Sequence, residues 1–171
     1  MKWLLVGICV IAMLCGCSSY KNYETISDEI VTPIMAEPMQ ITADFPPDVS
    51  VYALEHNGMF CVGEGYTLCV ETMTGGDLNN TVKKCTGYSA QNLNLIQTKR
   101  DGMTLYETAW SCMGEHGDQV GRLLVLDDGQ YHYTLYALTD AEEMGQLQSV
   151  IQPVFQSFRQ VQMEEPVNSG S

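Results

Sequence analysis

Cysteine is the residue type that most directly suggests chemistry in this chain, because seven cysteines occur among 171 residues. Some lie in or directly after an apolar N-terminal run, and four are spread over the rest of the chain: Cys61, Cys69, Cys85 and Cys112. An even number of cysteines in an oxidising compartment predicts two disulfides, with three possible pairings. The rival chemistry is a redox or metal site, which is less favoured because no Cys-x-x-Cys pair occurs.

The first 16 residues have the organisation of an export signal. Lys2 supplies a positive charge ahead of an apolar run, Leu4–Leu14, of 11 residues. A helix needs about 20 apolar residues to span a bilayer, so this run matches the hydrophobic region of a signal peptide. The rival interpretation is an uncleaved anchor that happens to contain cysteine.

The end of this run, Leu14-Cys15-Gly16-Cys17, resembles the lipobox of bacterial lipoproteins, in which an aliphatic and two small residues precede the lipidated cysteine. Cys15 departs from the usual Ala, Ser or Thr, but lipidation of Cys15 itself would place bulky Leu14 at the cleavage position. The resemblance implies that residues 1–16 are removed and that Cys17 carries acyl chains such as palmitate. Two chains anchor a protein stably. We therefore expect a lipoprotein on the extracytoplasmic side of the cell membrane or the outer membrane.

The composition limits what the exported part can do. Apolar residues make up 45% of the chain and charged residues 17%, which allows a buried core and excludes general disorder. The net charge of −13 argues against a nucleic-acid partner, because binding to a phosphate backbone needs Lys and Arg. The same charge gives no attraction to anionic lipid headgroups. Membrane contact is therefore expected only through the lipid anchor.

Turn signals and polarity divide the rest of the chain into three parts. Residues 17–37 predict a polar tether, residues 38–162 a folded domain and residues 163–171 a flexible tail. Within the domain, short apolar segments alternate with residues that favour tight hairpins. These turns are Asn57-Gly58, Gly63-Glu64-Gly65, Asp101-Gly102 and Asp128-Gly129. The pattern predicts an antiparallel meander.

Two segments have helical spacing. Asp77 can cap a short helix over 78–86. A second helix is predicted to begin at Thr139 or Asp140 in a capping box with the acids that follow, and to kink or stop near Ile151 because of Pro153. Its apolar face carries Met144, Leu147, Ile151, Val154, Phe155 and Phe158. An antiparallel sheet with one covered face and both helices on it is an α+β sandwich.

The strand pattern favours one disulfide pairing. If Cys61 lies opposite Cys69 across the Gly63-Glu64-Gly65 turn, both cysteines fall on the outward face. The core face of that hairpin then carries Phe60, Val62, Leu68 and Val70. Cys85 lies on the apolar face of the first helix and can reach Cys112 on a strand. We therefore predict the disulfides Cys61–Cys69 and Cys85–Cys112.

Other residue types form no complete catalytic or metal site. Glu115, His116 and Asp118 lie close in sequence, but a solvated loop is the preferred interpretation. His56 and His132 have no candidate nucleophile beside them, and the chain has no Gly-x-Ser-x-Gly elbow, phosphate loop or dinucleotide fingerprint. An aromatic stripe suggests either a peptide- or glycan-binding surface or, preferably, sheet core: Tyr106, Trp110, Tyr131 and Tyr133. We predict no catalytic residue, no metal and no cofactor.

The order of hairpins, short helix, further hairpins and C-terminal helix resembles the Mog1/PsbP-like α/β sandwich of small bacterial lipoproteins. The resemblance covers about 40–160 and rests on short motifs: Asp101-Gly102-Met103, Tyr131-His132-Tyr133-Thr134-Leu135 and Ser157-Phe158. It implies a non-catalytic binding or assembly factor without a shared active site. The expected function is therefore an accessory or binding lipoprotein with an unidentified protein or small-molecule partner. The alternatives are a structural envelope component that acts through a protein partner, or a small envelope hydrolase or redox protein.

Overall fold

The computed structural model describes residues 36–54, 58–115 and 117–161, all within one compact unit. Strands, in chain order, are β1 (Ile41–Thr42), β2 (Ser50–Ala53), β3 (Met59–Gly63), β4 (Tyr66–Thr74), β5 (Ile96–Arg100), β6 (Met103–Gly114), β7 (Gly117–Asp127), β8 (Tyr131–Asp140) and β9 (Arg159–Gln160). The helices are α1 (Leu78–Thr86) and α2 (Met144–Ser157), with a 3-10 turn at Ala90–Asn92. The predicted signal peptide, Cys17, most of the tether, the tail, His56 and His116 lie outside the described residues.

Seven strands form one antiparallel sheet in the order β2-β3-β4-β8-β7-β6-β5, and β1 pairs with β9 in a separate two-stranded sheet. Two meanders, β2–β4 and β5–β8, therefore meet at the β4–β8 seam. The predicted α+β class, an antiparallel sheet with a short internal helix and a C-terminal helix, is confirmed. No helix within the described residues is long and apolar enough to cross a bilayer.

Both faces of the sheet are covered, one by each helix, so the prediction that both helices share one face is wrong. On the α2 face, Leu124 and Leu126 pack in one cluster with Phe155. On the α1 face, Leu123 and Val125 pack in another with Val82. Consecutive β7 side chains point to opposite faces. The run Leu123–Leu126 is continuously apolar because both of its sides are buried.

Helix α1 forms as predicted. The Asp77 side chain accepts a hydrogen bond from the Asn79 backbone N–H, and Gly87 ends the helix in the left-handed conformation, with a φ of 79°. α1 buries Val82 and Cys85 against the sheet.

Helix α2 begins later and extends further than predicted. Thr139 and Asp140 stay in β8, where Thr139 pairs with Tyr66 and its hydroxyl donates to the Gly65 carbonyl. Glu143 occupies the N-cap without a side-chain capping bond, so the predicted capping box is absent. Pro153 lies inside the helix, which continues to Ser157. The loss of one backbone hydrogen bond at proline is offset because the residues around it bury apolar side chains against the sheet.

The β3–β4 hairpin has a different register from the predicted one. Gly63 pairs with Tyr66, which leaves Glu64 and Gly65 as a two-residue turn and places Cys61 opposite Leu68 in place of the predicted Cys69. Gly65 has a φ of 77°, a conformation that glycine adopts without a steric penalty. A change of one residue in register moves a side chain to the other face. The core-face prediction is therefore right for Leu68 and Val70 but wrong for Phe60 and Val62.

This register separates the first predicted cysteine pair. Cys61 lies opposite Leu68 in the α2-face cluster, whereas Cys69 lies opposite Phe60 on the other face. Their side chains point away from each other, so the predicted Cys61–Cys69 disulfide is incompatible with this sheet. All four thiols are free in the structure.

The second predicted pair is too far apart. Cys85 lies beside Thr134 of β8. Thr134 is in register with Val125 of β7, which is in register with Tyr106 of β6. Cys112 is six residues further along β6, about 20 Å at the rise of a strand. A disulfide needs α-carbons within about 7 Å, so the Cys85–Cys112 pairing is also wrong.

Candidate functional site

A cavity of about 540 Å³ opens beside the β3–β4 turn and the first half of α2. We call it the acidic cavity and define it by its lining residues: Pro46, Asp48, Glu64, Tyr66, Glu143, Gln146, Leu147 and Val150. Three separate segments supply these side chains, namely the loop after β1, the hairpin turn and α2.

Local structure fixes each of these segments. The loop after β1 is held by the Asp44 N–H, which donates to the Ser157 hydroxyl at 2.8 Å, and by Phe45, which packs against the core. At the hairpin turn, a β-carbon on Gly65 would collide with the Glu143 carboxylate. Glycine is favoured here for its backbone conformation, whereas the exposed Glu143 carboxylate, at the end of a flexible side chain, can move aside at little cost.

Tyr66 is the central residue of the acidic cavity. Its side chain is only 9% exposed, and its hydroxyl makes no hydrogen bond with any described residue. No fully buried side-chain oxygen or nitrogen in the described part of the chain lacks a partner, so this hydroxyl must reach solvent. Burial, followed by the nearby Cys61 and Asp48, raises the pKa of Tyr66. It therefore remains a neutral phenol that can donate and accept hydrogen bonds.

The other cavities offer less. One of about 40 Å³ lies between α2 and the sheet, beside Arg122. The Arg122 guanidinium already has partners, because it pairs with Glu107, donates to Gln152 and lies 4.6 Å above the Phe155 ring. Two open depressions of about 400 and 290 Å³ flank Tyr88, whose hydroxyl donates to the Ser111 carbonyl. Neither is lined by a buried polar group that lacks a partner.

A buried polar network on the α1 face was not predicted from the sequence. His132 Nδ1 lies 2.7 Å from the Thr81 hydroxyl, and His132 Nε2 lies 3.8 Å from an Asp127 carboxylate oxygen. The order of these groups is that of a hydrolase triad. However, His132 is 2% and Thr81 5% exposed, so no substrate can reach them. The network connects α1 to β8 and is structural.

Replacing Thr81 with valine is expected to lower the free energy of unfolding by about 1–3 kcal/mol, because His132 Nδ1 would be left buried without a partner. Urea unfolding measures the change. Thr74→Val, at an exposed position of β4, serves as the control and should stay within about 0.5 kcal/mol of the wild type. Equal losses in both variants would show that the buried hydrogen bond contributes nothing.

The cysteines are brought to no common site. Cys61, Cys69 and Cys85 are buried, and burial raises the pKa of each thiol, to about 12 for Cys85. Protonated buried thiols are poor nucleophiles and poor metal ligands. Cys112 is half-buried at the edge of the α1-face cluster. The described residues contain no group of three or more His, Cys, Asp or Glu side chains placed to hold a metal ion.

The predicted aromatic stripe is divided between the two faces and is not a surface. Tyr133 is fully buried on the α2 face, with Tyr131 packed against the same cluster. Trp110 and Tyr106 pack on the α1 face. The sheet-core interpretation of these side chains is therefore correct.

Known structures with the same architecture share little sequence with this chain. A cyanobacterial PsbP (CyanoP) from Synechocystis superposes with a TM-score of 0.51 at 12% identity, over 75% of this chain and 96% of that one. The chain has the Mog1/PsbP-like fold. A protein from Bacteroides thetaiotaomicron has a TM-score of 0.50 at 10% identity over 73% of this chain, which spans 46% of that longer protein.

LpqN, described as involved in cell envelope biogenesis of Mycobacterium tuberculosis, has a TM-score of 0.48 at 11% identity, covering 74% of this chain and 87% of LpqN. No protein-family model and no curated protein sequence matches the chain significantly. At these identities the PsbP-like likeness concerns architecture, and any function must be argued from this chain's own residues.

Proposed function

We propose that this protein is a non-catalytic binding lipoprotein of the bacterial cell envelope, which takes its ligand in the acidic cavity. The observation that carries this proposal is the Tyr66 hydroxyl, on a side chain only 9% exposed, without a protein partner beside a space of about 540 Å³. Ligand sites are typically concave, partly apolar and equipped with a few polar groups that fix orientation. The acidic cavity has these properties.

Binding is preferred to catalysis because of what lines the cavity. The lining consists of carboxylates, a phenol, an amide and apolar side chains, without a nucleophile paired to a base. Glu64 and Glu143 are the candidates for a hydrolase acid pair. A carboxyl group that acts as a general acid is usually held in a dry apolar pocket, whereas both of these side chains are exposed at the mouth of an open cavity.

Location in the envelope is supported by the N-terminal sequence alone. Lys2, the short apolar run and Cys17 have the order of a lipoprotein signal. A lipid on Cys17 and a tether would hold the binding domain at the extracytoplasmic membrane surface, without contact between the acidic domain and the lipid headgroups.

A Cys17→Ser variant expressed in bacteria is expected to lose lipid labelling completely and to keep its first 16 residues. The reason is that lipid transfer and cleavage by the lipoprotein signal peptidase both require the cysteine thiol. Metabolic labelling with a palmitate analogue and intact mass measure the two effects. Cys15→Ser is the control and should still be labelled. Labelling that persists in Cys17→Ser would assign the anchor to Cys15.

The binding role is tested with a ligand-observed NMR screen of neutral, anionic and cationic fragments against the full mature chain. We expect at least one class to bind saturably, with contacts at Tyr66 and Leu147, and to be recovered chemically unchanged. Tyr66→Trp, which removes the hydroxyl and enlarges a side chain of the lining, should weaken this binding. If no fragment of any charge binds at the cavity, or if bound fragments are turned over, the proposal is wrong.

The exposed edge strand β2 favours a second candidate function, a structural envelope component acting through a protein partner. All four β2 residues are exposed, and among the described residues this strand pairs only with β3. Val51 and Tyr52 are both 55% exposed. Such an edge can accept a further strand from another protein. Cross-linking in cells from a photoreactive residue at position 52 tests this role, and capture of no protein would exclude it.

A further inference from the structure

The charges of the acidic cavity are not compensated by the protein. Asp48, Glu64 and Glu143 come from three different segments, and no Lys or Arg lines the space. The ion pairs of the described residues use other carboxylates, those of Glu71, Glu107, Asp127 and Asp44. Like charges brought together without a counter-charge repel one another, so a cationic ligand would be attracted to this space.

A single metal ion does not match this arrangement. A calcium or magnesium ion needs several oxygen ligands about 2.0–2.6 Å away. Within the described residues, no three carboxylates are close enough to hold one ion, and those of the cavity are distributed around about 540 Å³. Negative charge spread over this distance is better matched by a ligand that carries several separate positive charges.

The apolar residues that line the cavity favour a ligand with an alkyl chain between its positive charges. Pro46, Leu147 and Val150 supply apolar surface that can pack against methylene groups. The Tyr66 hydroxyl and the Gln146 amide oxygen can each accept a hydrogen bond from an ammonium group. Because the Tyr66 hydroxyl reaches solvent and bonds to no described residue, a bound ammonium would replace water there without breaking a bond within the described protein.

We infer that the acidic cavity binds an alkylammonium ligand with more than one positive charge, its methylene chain on Leu147 and Val150 and its ammonium groups on Asp48, Glu64 and Glu143. The inference rests on the proposed binding function and names the ligand class. The same chemistry occurs in a free linear polyamine and in the lysine side chains of a peptide. The charge pattern of the cavity is common to both sources.

Isothermal titration of residues 17–171, produced without the first 16 residues and with Cys17→Ser to omit the lipid, tests this inference at about 0.15 M salt, where diffuse surface attraction is screened. The probes are spermidine, a tetralysine peptide and calcium chloride. We expect one saturable site for spermidine or tetralysine and none for calcium. Tighter spermidine binding would identify a free polyamine as the source, and tighter tetralysine binding a partner's lysines.

Two neighbouring glutamates give a matched comparison. Glu143 lines the cavity and Glu142 does not, although both are exposed and adjacent in the chain. Glu143→Gln should weaken binding of the better probe about three- to fivefold, whereas Glu142→Gln should change it less than about twofold. Equal weakening in the two variants would mean that the probe responds only to the overall negative charge, and would overturn the inference.

Tyr66→Phe provides a second, independent comparison. It should weaken probe binding about tenfold, because a hydrogen bond to a charged group is lost, while the melting temperature stays unchanged because the hydroxyl has no partner in the described protein. If neutral or anionic fragments occupy the cavity and neither amine does, the binding function stands and the alkylammonium inference is wrong. If nothing binds there, both are wrong.

Discussion

Replacing Phe158 with alanine is expected to lower the free energy of unfolding by about 3–5 kcal/mol, as measured by urea denaturation. Phe158 is 0% exposed and lies in the α2-face cluster with Leu126, Tyr133 and Phe155. It also closes α2, and its carbonyl accepts a hydrogen bond from Arg100 at 3.1 Å. Removing the ring leaves a cavity at the junction of the helix and the sheet, which closely packed strands cannot fill.

Phe60→Ala is the matched control, since it removes the same ring from a half-buried position. Phe60 lies on β3, with its ring centre 6.5 Å from that of exposed Tyr52. Its removal should cost about 1 kcal/mol. A loss for Phe158→Ala no larger than that for Phe60→Ala would show that α2 is not docked on the sheet as described.

Raising the pH from 9 to 12 under reducing conditions is expected to destabilise the protein by several kcal/mol. Burial raises the pKa of Cys85 from 9.0 to about 12, and burial with the hydrogen bond to Asp128 raises that of Tyr133 from 10.0 to about 12. The unfolded chain therefore loses these protons at lower pH than the folded one. The stabilisation is complete below pH 9 and is lost as the pH rises to 12, about 4 kcal/mol from Cys85 alone.

Urea unfolding at several pH values measures this dependence. Cys85→Ala should flatten the decline between pH 9 and 12. Val82→Ala removes a non-titrating side chain from the same face of α1, and it should lower stability equally at every pH. If the wild type and Cys85→Ala decline with the same slope, the Cys85 thiol does not titrate as the structure requires.

Local turn chemistry was predictable where a single glycine follows an acid. Asp101 and Gly102 take φ values of 51° and 81°, and the Asp128 side chain accepts from the backbone N–H groups of Gln130 and Tyr131. The sequence Gly63-Glu64-Gly65 offers two glycines, so a turn of two residues and one of three are both plausible. The pairing of Gly63 with Tyr66 in the structure identifies the turn as the two-residue one. The error in the Cys61–Cys69 pairing followed from this ambiguity.

Helix boundaries and helix placement depended on tertiary contacts. The residues Thr139 and Asp140 suit a helix N-terminus, but pairing with β4 and β7 keeps them in β8. The spacing of the apolar residues in each helix indicated which side of the helix is buried. It contained no information about which face of the sheet the helix covers.

The acidic cavity had the weakest sequence signal. The sequence pattern places Glu143 at the start of a helix and Glu64 in a turn, and both of these local roles are correct. The proximity of Glu143 to Glu64 and Tyr66 depends on the packing of α2 against the hairpin turn. One sequence feature indicated that Tyr66 faces the core side of the sheet. Tyr66 directly follows the turn, and Leu68, two residues later on the same face of the strand, belongs to the core.

Strands β1 and β9 lie at the two ends of the domain in sequence, yet Ile41 pairs with Gln160 and Thr42 with Arg159. The central seam likewise joins β4 to β8, with Tyr66 opposite Thr139. Proteins dominated by such long-range pairing fold slowly, in milliseconds to seconds, because loop closure must precede the contacts that compensate for it. A growing chain that ends before Met144 has neither β9 nor α2, and one face of its sheet is bare. The domain therefore reaches its native state only after synthesis is almost complete.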